Sequence, residues 1–175
     1  MEQGAFPTLH APSTTHNNKT MKISAQDEYG LRILLRIARS EPAVGLSIAQ
    51  LSELEGISTA YVAKLTRTLR MADLVKSTRG QKGGYVLSKP MNEIIIKDVL
   101  DALGGALFSK GFCQDYTGGL KLCTNSVDCS VRSLWQMVQM AVDRVLEKVT
   151  LEDLIGKEKD SISALKKLLA QNALV

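Results

Sequence analysis

Ser47-Ile48-Ala49-Gln50-Leu51-Ser52-Glu53-Leu54-Glu55-Gly56-Ile57-Ser58-Thr59-Ala60-Tyr61-Val62-Ala63-Lys64-Leu65 holds two helix starts separated by one glycine. Ser47 and Ser58 each precede an apolar repeat at helical spacing: Ile48, Leu51 and Leu54 in the first, then Val62, Leu65 and Leu69 in the second. A serine hydroxyl satisfies backbone N–H groups that the first helical turn leaves without partners, so serine marks such starts. Gly56 stops the first helix because glycine adopts the left-handed backbone that closes a C-terminus. Two short helices joined by a glycine turn describe a helix-turn-helix. The second helix is expected to bury Val62, Leu65 and Leu69 and to leave Thr59, Ala60, Ala63, Lys64 and Arg67 on its opposite side.

Reading outward, Ser24 caps an earlier helix with Asp27 at its third position, and Tyr29, Leu31, Ile33, Leu34, Ile37 and Ala38 follow at helical spacing until Glu41-Pro42. Downstream, Leu74 to Arg79 alternates like a strand, turns through Gly80-Gln81-Lys82-Gly83-Gly84 and returns as Tyr85-Val86-Leu87. That hairpin is a wing. Residues 94–103 read as a further helix closed by Gly104-Gly105, and a long helix is expected over about 131–149. In the long helix Leu134, Val138, Ala141, Val145 and Val149 nearly keep a seven-residue repeat, a seam that wants a partner helix. Thr150-Leu151-Glu152-Asp153 reads as the cap of a terminal helix.

The expected fold is therefore mainly α: a winged helix-turn-helix with a small β-hairpin wing, plus a long dimerisation helix. Residues 1–20 read as a disordered tail holding both histidines, His10 and His16, with Met21 a second candidate start. Residues 21–90 make the winged helix-turn-helix, 91–130 a connecting helix and cysteine loop, 131–155 the dimerisation helix and cap, and 156–175 an amphipathic C-terminal segment.

Charge is uneven. Residues 22–90 carry eleven Lys/Arg against six Asp/Glu, whereas residues 91–175 carry ten against eleven. Between Thr59 and Lys82 the basic residues Lys64, Arg67, Arg70, Lys76, Arg79 and Lys82 face a single acid, Asp73. Double-stranded DNA is the partner this favours over a merely solvated basic face, because base-reading geometry and charge fall on one element. Ser58, Thr59 and Tyr61 can donate to phosphates or touch base edges, with Lys64 and Arg67 further along the helix. Arg79 and Lys82 sit in the wing, and a guanidinium at Arg79 suits the negative potential of a narrow minor groove.

The chain has three cysteines, Cys113, Cys123 and Cys129, all within 17 residues and with Gly118 and Gly119 between the first two. An odd count cannot close into disulfides within one chain, and no secretory signal precedes them, so the expected compartment is the cytoplasm. Three converging thiolates suit a soft metal centre, with an iron–sulfur cluster and zinc as leading candidates. No pair sits at the two-residue spacing of zinc knuckles, which disfavours an ordinary structural zinc. The plainer alternative is three small buried hydrophobes.

Met21-Lys22-Ile23-Ser24, Tyr29-Gly30-Leu31-Arg32, Ile57-Ser58-Thr59-Ala60-Tyr61-Val62, the wing Arg79 to Leu87, and the cysteine trio followed by Ser133-Leu134-Trp135 together resemble the Rrf-type winged-helix regulators, the IscR/NsrR-like iron–sulfur family. The resemblance covers roughly residues 21–155. It implies that Cys113, Cys123 and Cys129 hold an iron–sulfur cluster, [2Fe–2S] favoured over [4Fe–4S], that the long helix forms a crossed homodimer, and that cluster state controls binding to a DNA operator. It also implies repression of iron–sulfur assembly genes, or alternatively a response to nitric oxide or iron. Two departures stand out. The first gap is lengthened by an insertion within Gln114 to Leu122, and Arg132, which cannot ligate, stands where some members carry a histidine ligand. Other members recruit a carboxylate from the first helix of the partner subunit, and Glu28 is the matching position here, beside Asp27.

A rival of another class is an electron carrier or cluster-transfer protein, which needs no basic wing. Enzymatic function has little support: there is no Ser/His/Asp set, no P-loop glycine run, and no histidine outside the tail. Nor does any apolar run approach the roughly 20 residues needed to span a bilayer.

Overall fold

The computed structural model describes residues 23–42, 44–78, 83–104, 123, 125 and 127–172. The expected tail at 1–20, Cys113, and the wing-tip residues Arg79 and Lys82 lie outside these. Six α-helices and two strands follow in order among the described residues: α1 Ala25–Arg39, α2 Ile48–Glu55, α3 Thr59–Met71, β1 Val75–Ser77, β2 Tyr85–Leu87, α4 Ile96–Leu103, α5 Ser130–Leu146 and α6 Glu158–Asn172.

The helix starts form for the reasons legible in the chain. The Ser24 hydroxyl accepts the Asp27 N–H at 3.2 Å, while the Asp27 carboxylate accepts the Ser24 N–H at 3.0 Å. Ser47 and Gln50 repeat the arrangement at α2, and Ser58 caps α3 through the Tyr61 N–H at 3.3 Å. Gly56 closes α2 at φ +65°, Gly104 closes α4 at φ +92°, and Asp73, a residue type tolerant of left-handed backbone, turns the chain from α3 into β1 at φ +54°.

β1 and β2 pair antiparallel, Val75 opposite Leu87 and Ser77 opposite Tyr85, so the strand expected from Leu74 to Arg79 is the shorter Val75–Ser77. A third segment joins them. Leu46 pairs with Tyr85 through two backbone hydrogen bonds, of 3.1 and 2.8 Å, and ties the wing root to the entry of α2.

One core fills the space between α1, α3 and α4. Ile33 and Leu34 of α1, Val62, Leu65 and Leu69 of α3, and Val99 of α4 are fully buried. Each such side chain contributes about 1.5–3 kcal/mol through burial. The core also takes in Val149 and Leu151, because Ile96 donates to the Val149 carbonyl and Leu151 to the Ile94 carbonyl, both at 2.9 Å. This corrects the expected seam. α5 ends at Leu146, and Val149, 4% exposed, belongs to the winged-helix core rather than to a partner-facing stripe. The Thr150–Asp153 cap forms as expected but opens a single turn of 3₁₀ helix, Glu152–Leu154; α6 begins only at Glu158. No described helix is long and apolar enough to cross a membrane.

Candidate nucleic-acid interface and cysteine segment

α3 presents one face to the core and the other to solvent. Ser58, Thr59, Ala60, Lys64 and Arg67 are exposed, while Val62, Leu65, Thr66 and Leu69 are buried. Ala60, Lys64, Arg67 and Met71 recur at three- and four-residue intervals, so they form a stripe along the exposed side. The buried Thr66 hydroxyl donates to the Val62 carbonyl at 2.9 Å, which removes a polar group from the core side. Lys76 on β1 is exposed beside the wing and adds to the positive surface.

Tyr61 differs from the other α3 candidates. It is half-buried, and its ring stands edge-on to Tyr29 of α1, with centroids 6.1 Å apart and planes at 83°. The guanidinium of Arg32 lies 5.3 Å from the centre of the Tyr29 ring. The aromatic contact holds the first turn of α3 against α1, and the cation–π contact, made within α1, steadies the Tyr29 ring.

Behind that contact is a set of residues that sequence reasoning missed. Glu55, the last residue of α2, has a side chain only 1% exposed, and both Arg32 and Arg36 of α1 converge on it. Arg36 Nε donates to Oε1 at 2.6 Å; Arg32 Nε lies 2.6 Å from Oε2 as an ion pair without hydrogen-bond alignment. Arg32 and Arg36 stand four residues apart and so share a helix face, but nothing local pairs them with Glu55.

Cys123 and Cys129 are both half-buried free thiols. Cys129 is the N-cap of α5, where its sulfur accepts the Arg132 N–H at 3.4 Å. The Arg132 guanidinium donates to the Asn125 carbonyl at 3.2 Å, so this residue binds the cysteine segment back to the helix start. Glu28 is exposed on the first turn of α1, whereas neighbouring Asp27 is buried and engaged by Ser24. Among the described residues no three His, Cys, Asp or Glu side chains gather within one protomer, so Glu28 is not brought to Cys123 and Cys129 there.

The end of α4, from which the chain enters the cysteine segment, is packed firmly on α1. Leu103, the last residue of α4, packs on Gly30 of α1 so closely that a Cβ at Gly30 would lie 2.5 Å from its Cδ1. Its carbonyl accepts the side-chain N–H of Gln26 at 2.5 Å. On the outer side of α4, a 2.6 Å hydrogen bond to Asp101 raises the Lys97 pKa, opposed by burial and reinforced by the same carboxylate's charge.

The profile of the Rrf2 family, described as iron-dependent transcriptional regulators, matches residues 23–157. The chain belongs to the Rrf2 family. It is accordingly a DNA-binding transcriptional regulator and not an enzyme. Among relatives of this Rrf2 protein, IscR of Photorhabdus laumondii is 28% identical over 139 residues, spanning 79% of this chain and 82% of the relative. The structure of CymR, the global cysteine regulator of B. subtilis, superposes with a TM-score of 0.60 at 31% identity, covering 77% of this chain and 95% of that one. T. potens IscR gives 0.59 at 30% identity, with 77% and 85% covered. The Rrf2 assignment bears out the winged-helix expectation, and the relatives include both IscR and a cysteine regulator.

Proposed function

We propose that this Rrf2 protein is a homodimeric repressor that binds an operator in double-stranded DNA, senses iron–sulfur status through Cys113, Cys123 and Cys129, and controls iron–sulfur assembly genes. The observation that carries the reading is that Cys123 and Cys129 are both free, half-buried thiols, with Cys129 capping α5. The donor chemistry fits a cluster: thiolates are the preferred ligands, and the backbone N–H on Cys129 Sγ is the kind of hydrogen bond that tunes cluster potentials. When bound, such a group, most simply [2Fe–2S], supplies a labile, oxidant-sensitive centre. The partner subunit's Glu28 offers a carboxylate as a fourth ligand, exposed and free of the capping role that occupies Asp27.

The chain's own part is geometric. Ser58, Thr59, Tyr61, Lys64 and Arg67 meet the duplex along α3, and Arg79 and Lys82 reach it from the wing. Dimerisation uses α5, none of whose residues is fully buried within the chain; Val131, Leu134, Met137 and Met140 are 47–59% exposed. A run of that size on one helix marks an interaction surface. Two symmetric readers fit half-sites only when about 34 Å apart, so a small change in the angle between protomers alters affinity strongly.

The test is Cys123→Ala, purified without oxygen alongside the native protein. The native protein should show visible-region absorbance with stoichiometric iron and sulfide, and the variant should lose both while remaining a folded dimer. Colourless, iron-free native protein that holds its operator equally before and after chelation refutes the cluster role. An electron carrier would instead show neither salt-dependent nor sequence-selective DNA binding.

A further inference from the structure

We propose that Glu55 determines DNA specificity by withholding Arg32 and Arg36 from the phosphate backbone. The inference deepens the DNA reading and rests on it. The carboxylate is buried, yet the two arginines that converge on it at 2.6 Å are 44% and 40% exposed. Their remaining N–H groups therefore face solvent on a positively charged domain. Arg32 also stands near the reading end of α3, since it lies over Tyr29 and Tyr29 packs on Tyr61 in the first turn of that helix; Arg36 follows one turn later on the same face of α1. In helix-turn-helix proteins the helix that precedes the reading helix crosses the DNA backbone; here that helix is α2, and Glu55 at its end draws both α1 arginines to it, so these cations lie where phosphates run.

A free arginine at such a place adds affinity without reading sequence. On random sequence the protein can settle where both arginines meet phosphate, whereas on an operator the base contacts of α3 fix the register, so non-specific binding gains more than operator binding and, with a genome of competing sites, the wrong ones are favoured. Glu55 competes with phosphate for both guanidinium groups, and its burial keeps the competition from being screened by salt. It also stands directly before Gly56, the left-handed residue that aims α3. The same ion pairs that restrain the arginines thus hold α2 against α1 at the turn. Glu55 is a positioning residue: it acts through Arg32 and Arg36 and touches no base.

The experiment measures binding of a random-sequence duplex of about 30 bp by fluorescence anisotropy over a salt series of about 50–200 mM. Glu55→Gln should bind this duplex more tightly. Each arginine that gains a phosphate steepens the slope of log K against log salt by about 0.9, which corresponds to about eightfold at 0.1 M relative to 1 M salt. Against a duplex selected from a random library by the native protein, affinity should rise less, so the ratio of the two falls. Adding Arg32→Gln and Arg36→Gln to Glu55→Gln should return the random-duplex affinity and slope to native values.

A folded Glu55→Gln protein with an unchanged slope overturns the proposal. So does a triple variant that binds random duplex more weakly than native, because the arginines would then already be contacting phosphate; this arm decides even if Glu55→Gln alone does not fold. Lys64→Ala separates the underlying reading. If it leaves affinity and slope unaltered, the assignment of α3 as the DNA face fails, and the role of Glu55 fails with it; if it weakens binding while Glu55→Gln changes nothing, only the role of Glu55 falls.

Discussion

Gly30→Ala tests how the chain joins its reading domain to the cysteine segment. A Cβ built at Gly30 lies 2.5 and 2.6 Å from the two Cδ atoms of Leu103 and 3.1 Å from Cγ. Carbon atoms rest at about 3.5–4.0 Å, so the Leu103 side chain must retreat by about 1 Å. It has little room, being 2% exposed and enclosed by the core. Overpacking of this kind costs about 1–3 kcal/mol. Replacing glycine by alanine inside a helix returns about 1 kcal/mol, so the net loss is ~1 kcal/mol and Tm falls by roughly 2–4 °C for a chain of this size. The diagnostic measurement is a double-mutant cycle with Leu103→Ala, followed by urea unfolding at fixed protein concentration. Leu103→Ala alone should cost about 2–5 kcal/mol. In that background the clash is gone and only the helix-propensity gain remains, so Gly30→Ala should change sign and stabilise by roughly 0.5–1 kcal/mol. Strictly additive effects, or equal stabilisation in both backgrounds, would refute the claim that this glycine exists to admit Leu103.

Three further outcomes follow from the same geometry. Gly84→Ala brings a Cβ to within 2.7–2.9 Å of the Leu46 backbone, which cannot swing away as a side chain can; thermal melts should show a loss of about 1–3 kcal/mol together with weakened DNA binding, and native stability would contradict the pairing of Leu46 with Tyr85. Ser24→Ala should cost more than Ser47→Ala, about 1–2 against about 0.5–1 kcal/mol, because Ser24 bonds a carboxylate that is 4% exposed whereas the Ser47–Gln50 box lies at the surface. Met137→Asp places a charge in the exposed stripe of α5 and should give monomers at micromolar concentration in sedimentation velocity, with melting of the winged-helix core little changed; a persistent dimer would move the interface elsewhere.

The parts of this molecule legible in its sequence are those governed by neighbours within four residues. Ser24, Ser47 and Ser58 each start a helix because their partners lie three positions on, and Gly56 and Gly104 end one because their own backbone permits it. The buried side of α3 follows from its spacing alone. Where the reading slipped, a longer-range contact outweighed the local pattern. Val149 continues the apolar repeat of α5, but the backbone bonds of Val149 and Leu151 with Ile96 and Ile94 draw it into the core after the helix has ended. Thr150 has the right partner for a cap at Asp153, yet Leu151 is needed in that core, and the chain makes only one tight turn before α6.

The candidate site divides on the same line. Lys64 and Arg67 could be placed on the solvent side of α3 because solvent exposure is what a helix gives to residues off its apolar stripe. Tyr61 could not, since its half-burial depends on Tyr29, thirty-two positions earlier. Glu55 was still less visible: an acid at the end of an amphipathic helix ordinarily faces water, and only the crossing of α1 over α2 turns it inward against Arg32 and Arg36. Burying one carboxylate costs several kcal/mol unless cations meet it, so its pairing with two arginines is a condition of its being there at all. That condition explains why a basic domain keeps an acid where it can restrain its charge. A positive surface attracts any duplex, and under the proposal Glu55 limits how many of those charges reach phosphate, which leaves a larger share of the affinity to base contacts.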